Sequence, residues 1–190
     1  MSFSSDYEER NRRAKEFLLH HRAKGVPHLN GNLFDHLVRT ESLLRDWECY
    51  EDVCLVGLCH ATYGTDGFAP HLLELNQRGS LRVAVGAEAE ALVYLYASCD
   101  RKATYATLGA GCVTVIRDRF LGSEIEVSDL HLQAFVDITL ANECDVGLGG
   151  SKTPSPPVWL LDLIQQMGHL AHESVREGVE RLIGTIGSTP

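Results

Sequence analysis

Apolar residues recur at the spacing of amphipathic helices along most of the chain. Between residues 33 and 47 several leucines and Trp47 fall on one helical stripe, and the run VCLVGLCH continues the pattern after a break at ECYED. This spacing predicts two consecutive helices. A helix over residues 6–24 and a loop over residues 25–32, rich in glycine and asparagine, are predicted to precede them.

The rest of the chain alternates helical segments with glycine- and proline-rich breaks. β-branched residues on both sides of LGS predict one small β-hairpin. The sequence therefore predicts an all-α, single-domain protein spanning residues 1–190, with a core over about 28–145. The further predicted elements are a loop over residues 63–70, a short helix over 71–78, a helix over 88–97, the hairpin near 112–127, a helix that begins at Asp129 and C-terminal helices over about 156–184.

Composition narrows the class of protein. With 44% apolar residues the chain can bury a substantial core. Its net charge of −9 would repel a phosphate backbone, which argues against polymeric nucleic acid as a partner. No apolar run reaches the roughly 20 residues that cross a bilayer, and the N-terminus lacks a signal-peptide core, so we expect a cytoplasmic protein without a membrane partner. Whether the chain forms a homodimer stays open.

Two histidines and one aspartate are predicted to face the protein interior from three different helices. His36, His60 and Asp137 each lie three, four or seven residues from apolar positions of their own helix. A buried carboxylate needs a partner, and neutral imidazoles with a carboxylate are typical ligands of a divalent metal ion. We therefore expect these three side chains to converge. The alternative is that each is a hydrogen-bonded core residue.

The run HLNGNLFDHLVRTESLLRDWECYEDVCLVGLCHATYGT resembles the opening of an HD-superfamily domain, in which one helix supplies a histidine and the next ends in a His-Asp pair. FVDITLANECD occupies the place of the last metal-binding aspartate of that superfamily. The resemblance implies an HD-like helical bundle and a divalent metal ion (Mn, Fe, Zn or Co) bound by His36, His60 and Asp137. It also implies metal-dependent hydrolysis of a small phosphorylated or nucleotide-like substrate.

One position departs from the superfamily. Residue 61 is alanine, where the HD pair has a metal-binding aspartate. His28, Asp66 or His71 are candidates for a substitute ligand. Alternatively, the scaffold is a non-catalytic domain that binds a small molecule or a protein partner. An HD-like iron oxygenase is disfavoured, because such enzymes use further histidines that the segment after His60 does not supply.

The run HATYGT also resembles a domain family of unknown function with an H-x-x-Y-G-T signature, which implies no activity. We assign the remaining polar residues around the predicted pocket provisional roles. A Y-G-T turn can equally exist to end a helix, and an exposed arginine is more often part of an ion pair. The candidate catalytic residues are His28, Tyr63 and Asp66, and the candidate substrate-binding residues are Thr65, Arg101 and Asn142.

Overall fold

The computed structural model describes residues 3–108, 115–149 and 155–187. These residues are mostly helical (67%), with nine α-helices and two small antiparallel hairpins, which confirms the predicted fold class. The helices are α1 Ser5–His20, α2 Leu33–Asp46, α3 Glu51–Cys59, α4 Arg78–Val85, α5 Ala87–Ser98, α6 Arg101–Tyr105, α7 Asp129–Leu148, α8 Val158–Met167 and α9 Glu173–Gly187, and the strands are β1 Pro27–His28, β2 Gly31–Asn32, β3 Val115–Arg117 and β4 Glu124–Glu126.

Side-chain caps fix where the main helices begin. The side chain of Asn32 accepts a hydrogen bond from the amide of Asp35 at the start of α2, and Ser128 does the same for His131 at the start of α7. Each cap satisfies a backbone donor that has no partner inside the helix. Helices α2 and α7 therefore start at fixed positions, which sets the register of the polar side chains they carry.

Helix α2 packs against both α3 and α7, and these three helices form the centre of the molecule. Leu37 and Leu44 of α2 and Leu55 of α3 are fully buried there, and Ile138 and Leu140 of α7 are almost fully buried. Burying side chains of this size contributes about 1.5–3 kcal/mol each before the entropy cost of folding. The polar residues of α2, α3 and α7 that face this centre are consequently held by a rigid frame.

A hairpin replaces part of the predicted loop over residues 25–32. Strands β1 and β2 pair with Pro27 opposite Asn32 and His28 opposite Gly31. The turn needs a left-handed backbone, with φ of 64° at Asn30 and 135° at Gly31, and asparagine and glycine tolerate this conformation. The hairpin places His28 beside the first turn of α2.

The predicted helix over residues 71–78 is wrong. The amides of Leu72 and Leu73 both donate to the carbonyl of Thr62, which holds this segment against the end of α3 in a non-helical path. A 3₁₀ turn follows at Leu75–Gln77, and α4 begins at Arg78.

The hairpin predicted near residues 112–127 is confirmed by β3 and β4, although its first residues, 112–114, lie outside the described part of the chain.

No helix within the described ranges is long and apolar enough to cross a membrane.

Candidate functional site

His36 and His60 meet at the contact between α2 and α3. Their Nε2 atoms lie 3.3 Å apart, and both side chains are almost completely buried. His36 projects from the first turn of α2, and His60 directly follows the last residue of α3. Two of the three side chains predicted to converge therefore do so, and we refer to these two imidazoles below as the imidazole pair.

Hydrogen bonds to the outer nitrogens set the tautomers of the imidazole pair. His60 Nδ1–H donates to the carbonyl of Gly57 at 2.8 Å, and His36 Nδ1–H donates to Asp145 Oδ2 at 2.6 Å. Burial favours the neutral form of Asp145, but hydrogen bonds from His36 and Arg39 outweigh it and hold the pKa of this carboxyl below its usual value. The carboxylate can thus only accept, so His36 carries a proton on Nδ1, and in its neutral form it turns the lone pair of its inner Nε2 towards His60.

Asn142 places a third acceptor against the imidazole pair. Its Oδ1 lies 3.0 Å from His36 Nε2, and its Nδ2 donates to Glu143 Oε1 at 2.8 Å, which fixes the orientation of the amide. Three acceptor atoms that converge without a donor repel one another unless a proton or a cation lies among them. Burial, followed by the nearby His36, lowers the pKa of His60 to about 3, so His60 is neutral at physiological pH.

A cavity of about 380 Å³ opens beside the imidazole pair. We call it the histidine cavity. His60 and Ala61 lie in its wall, and Asn142 and Glu143 line it from α7. The other lining residues come from the β1–β2 hairpin, from the loop after α3, from the start of α6 and from α7: Pro27, His28, Leu29, Thr65, Asp66, Gly67, Phe68, Arg101 and Val146.

Arg101 is the only arginine or lysine among the residues that line the histidine cavity. Its Nη1 donates to Glu143 Oε1 at 2.8 Å and its Nη2 donates to the Tyr96 hydroxyl at 3.1 Å. Its backbone amide donates to Asp66 Oδ2 at 2.9 Å. The guanidinium is therefore held in a fixed orientation at the cavity wall, where it can meet an anionic or carbonyl group of a ligand.

His28 lies over the imidazole pair from the side of the β1–β2 hairpin. Its ring stacks on His36 with centroids 4.0 Å apart and contacts the edge of the Phe68 ring at 4.9 Å. Burial and the neighbouring His36 lower the pKa of His28, so its ring is neutral at physiological pH. His28 and Phe68 together separate the imidazole pair from solvent on this side.

The structure brings most of the predicted site residues together and leaves three elsewhere. Tyr63 donates to Glu90 Oε1 at 2.9 Å, and burial and Glu90 raise its pKa, which makes it a poor proton donor or acceptor. His71 is half-exposed and pairs with Glu74 at 3.0 Å. Asp137 accepts a hydrogen bond from the His172 amide and lines a different cavity, so the prediction that it converges with His36 and His60 is wrong. His28, Thr65, Asp66, Arg101 and Asn142 all line the histidine cavity beside the imidazole pair.

Three residues of the site were not identified from the sequence: Arg39, Glu143 and Asp145. Arg39 donates to Asp145 Oδ1 at 2.6 Å and to Oδ2 at 3.0 Å, so His36 and Arg39, one helical turn apart on α2, share one carboxylate on α7. The spacing of Asn142 and Asp145, also one turn apart, is the sequence signal for a polar face towards the end of α7. Among the described residues, no group of three or more His, Cys, Asp and Glu side chains is arranged to hold a metal ion.

Comparison with known proteins gives one result. Residues 17–101 match the model of a domain of unknown function (DUF6817). This range contains the imidazole pair and the HATYGT run but ends before Asn142 and Asp145. No curated protein and no solved structure matches the chain significantly. The predicted likeness to a domain family without known activity is thus supported, whereas the HD-superfamily assignment receives no support.

Proposed function

We propose that this domain holds one divalent metal ion (Mn, Fe, Zn or Co) between His36, His60 and Asn142 and hydrolyses a small phosphorylated or nucleotide-like molecule in the histidine cavity. The observation that carries the proposal is the convergence of His60 Nε2, at 3.3 Å, and Asn142 Oδ1, at 3.0 Å, on His36 Nε2, since all three atoms are acceptors when both imidazoles are neutral. A cation relieves their mutual repulsion.

The spacing of the imidazole nitrogens suits a metal ion. Two nitrogen ligands at about 2.0–2.1 Å from a tetrahedral zinc ion lie about 3.3–3.4 Å from each other. The Nε2 atoms of the pair are 3.3 Å apart. Both outer nitrogens donate to acceptors, one to the carboxylate of Asp145 and one to a backbone carbonyl, which is the usual arrangement for metal-binding histidines.

The charged residues that line the cavity explain why a phosphorylated substrate would require a bound metal ion. Arg101 contributes one positive charge, against the two negative charges of Asp66 and Glu143, while His28 and His60 are neutral. A phosphorylated substrate is repelled by this balance unless a divalent cation reverses it. When bound, such an ion polarises a phosphoryl oxygen and lowers the pKa of a bound water.

The chain's own residues supply binding and proton transfer. Arg101 and Thr65 bind the anionic group, and His28 with Phe68 excludes bulk water from the imidazole pair. We assign to Asp66 the role of general base, since its Oδ2 is held by the Arg101 amide and its carboxylate faces the cavity. Tyr63 has no part in this scheme.

Metal binding is tested first, by titrating the purified, metal-free protein with Co²⁺ and Zn²⁺ and following heat and the cobalt absorption bands. We expect one ion per chain. His60→Ala should abolish binding, and Asn142→Ala should weaken it by at least about tenfold, since loss of a group that only orients a ligand already costs about 10–100-fold. His71→Ala is the matched control, because this imidazole lies outside the cavity and should leave binding unchanged.

Hydrolysis is tested by phosphate release from p-nitrophenyl phosphate and nucleoside monophosphates with the metal-loaded protein. We expect slow release that disappears in His60→Ala. Absence of stoichiometric metal binding rejects the proposal, as does equal binding by wild type and His60→Ala. Metal binding without any release rejects the hydrolase alone.

A second candidate is a non-catalytic domain that binds a small molecule. Ala61 favours it, because the HD superfamily that the sequence resembles has a metal-binding aspartate at this position. In this case the excess of acidic groups in the cavity lining selects a neutral or cationic polar ligand. Metal-independent thermal stabilisation by such a ligand would support it.

A further inference from the structure

A second cavity, of about 410 Å³, lies between the N-terminal ends of α3, α5 and α7. We call it the Asp137 cavity. It shares no lining residue with the histidine cavity. Its walls are mainly apolar, with Val53 from α3, Leu92 from α5 and Leu130 and Ala134 from α7, and Tyr50 stands at its edge. Such a cavity offers apolar contact to a small molecule.

Asp137 is the most deeply buried polar residue of the cavity lining, which also contains His131 and Gln133. Its side chain is 4% exposed, and its Oδ1 accepts a hydrogen bond of 2.9 Å from the His172 amide. Among the described residues this is the only hydrogen bond of the carboxyl group. By contrast, Glu41 and Glu90, the two most deeply buried glutamates, each have several donors. A buried carboxylate with a single donor is incompletely compensated, and a cationic donor would complete it.

The charges at the cavity rim have the same sign as Asp137. Besides Asp137, the lining contains the acidic residues Asp52 and Glu88, and it contains neither lysine nor arginine. Arg10 pairs with Asp52 from outside the lining at 2.6 Å. The positive N-terminal ends of α3 and α5 are offset by acidic residues in their first turns. An anionic ligand would therefore be repelled, while a wholly apolar one would leave Asp137 without a donor.

We propose that the Asp137 cavity binds a small amphiphilic amine, with the ammonium group on the Asp137 carboxylate and the apolar part between Val53, Leu92 and Leu130. This site is independent of the imidazole pair and goes beyond the proposed function. Burial raises the pKa of Asp137 to about 7, which the His172 amide and Arg176 only partly counteract. An ammonium ion favours the ionised carboxylate, so ligand binding releases a proton from this group below about pH 7.

Three probes of similar size, with the same phenyl group and different polar ends, test the proposal: 2-phenylethylamine, 2-phenylethanol and phenylacetate. Binding is measured by calorimetry, and the site is located by amide chemical-shift changes. We expect the amine to bind at one site per chain, the alcohol to bind at least about tenfold more weakly, and the carboxylate not to bind, as expected for a buried charged pair. The shifted amides should belong to residues 50–53, 88–92 and 130–137.

Two variants separate the charge from the apolar contacts. Asp137→Asn should lower the affinity for the amine by at least about tenfold and leave the alcohol unchanged. Asp129→Asn is the matched control, since it removes an exposed charge of the same helix outside the cavity lining. Leu130 is 63% exposed, so Leu130→Ala does not endanger the fold, and it should weaken amine and alcohol alike.

The pH dependence gives an independent readout. The affinity for the amine should rise between about pH 6 and pH 8 in wild type and stay flat in Asp137→Asn. The other titratable groups that face or approach Asp137 are Cys49, Tyr50, Asp52, Glu88, His131, His172 and Arg176. Equal binding of amine and alcohol overturns the proposal, as does unchanged amine affinity in Asp137→Asn or a binding site mapped to the histidine cavity.

Discussion

Helix α7 carries two buried aspartates that behave in opposite ways. Asp137 is 4% exposed and Asp145 is 5% exposed, so burial is the same. Yet burial raises the pKa of Asp137 to about 7, whereas the pKa of Asp145 lies below its usual value because hydrogen bonds from His36 and Arg39 offset burial. Hydrogen-bonding partners, and not depth, decide which carboxylate of α7 stays ionised.

The partners differ because the two aspartates face different neighbours of α7. Eight residues separate them, which is about 12 Å along the helix axis and about a quarter turn around it. Asp145 faces α2, which presents a histidine and an arginine one turn apart. Asp137 faces the segment before α9, which offers one backbone amide. The ionised aspartate stabilises the protein, while the poorly partnered one is left for a ligand.

The largest effect is expected for Asp145→Ala. The substitution leaves the Arg39 guanidinium and the His36 Nδ1–H without their acceptor, and breaking a buried pair of this kind costs about 3–5 kcal/mol. Because Arg39 is 36% exposed and therefore screened by water, we expect a loss of about 3 kcal/mol in the free energy of unfolding. Urea denaturation measures it.

Metal affinity should fall in the same variant. Removal of the group that orients a metal-binding histidine reduces affinity by about 10–100-fold. Asp137→Ala is the matched control on the same helix and should leave metal binding unchanged. If both variants lose metal binding equally, the distinction between the two aspartates does not hold.

A smaller effect, of opposite sign, is expected for Asp137→Asn. A carboxyl whose pKa is raised on folding stabilises the protein below its unfolded pKa of about 3.9 and loses that contribution as the pH rises through about 7. The asparagine cannot titrate and keeps an oxygen for the His172 amide. Relative to wild type, the variant should gain on the order of 2 kcal/mol between about pH 4 and pH 8, since water in the cavity relieves part of the desolvation.

Stability curves of both proteins at several pH values check this prediction. A constant difference between wild type and Asp137→Asn across this range would mean that Asp137 titrates normally in the folded state. In Asp145→Asn the pH dependence should run the other way, because the contribution of a carboxyl with a lowered pKa is present above its unfolded pKa of about 3.9 and is lost in acid.

The contrast between the two aspartates also marks the limit of sequence reasoning. The periodicity of α2 predicts this helix and the inward direction of His36, because the buried residues of α2 lie on one side. Helix α3 is buried at every position from Val53 to Cys59, so its apolar composition, and not a one-sided pattern, places His60 inside. Helix α7 is buried around most of its circumference. On such a helix, an inward position does not specify which neighbouring element the side chain contacts. Asp137 and Asp145 are both inward, so helical periodicity cannot tell which of them lies beside the histidines.

The sequence analysis also missed the β1–β2 hairpin and the hydrogen-bond partner of Tyr63. The β1–β2 hairpin has strands of two residues, too short to show a β-strand period, and the Asn30-Gly31 dipeptide is the signal that identifies it. Tyr63 follows the H-x-x-Y-G-T signature, but its hydroxyl is bound by Glu90, 27 residues later in the chain. No local pattern specifies a hydrogen bond over this separation.

Glu90 extends the comparison to a third carboxylate and gives the smallest expected effect. It accepts hydrogen bonds from Tyr63, Arg78 and Arg82, which outweigh burial and keep its pKa below the usual value. Tyr63→Phe removes one donor of three, so Glu90 stays ionised and the free energy of unfolding should fall by only about 1 kcal/mol. Metal binding and phosphate release should equal those of wild type, because Tyr63 does not line the histidine cavity. Urea denaturation, metal titration and the phosphate-release assay of this variant measure the three quantities. A loss of phosphate release at unchanged stability would instead make Tyr63 part of the site and remove it from the structural group around Glu90.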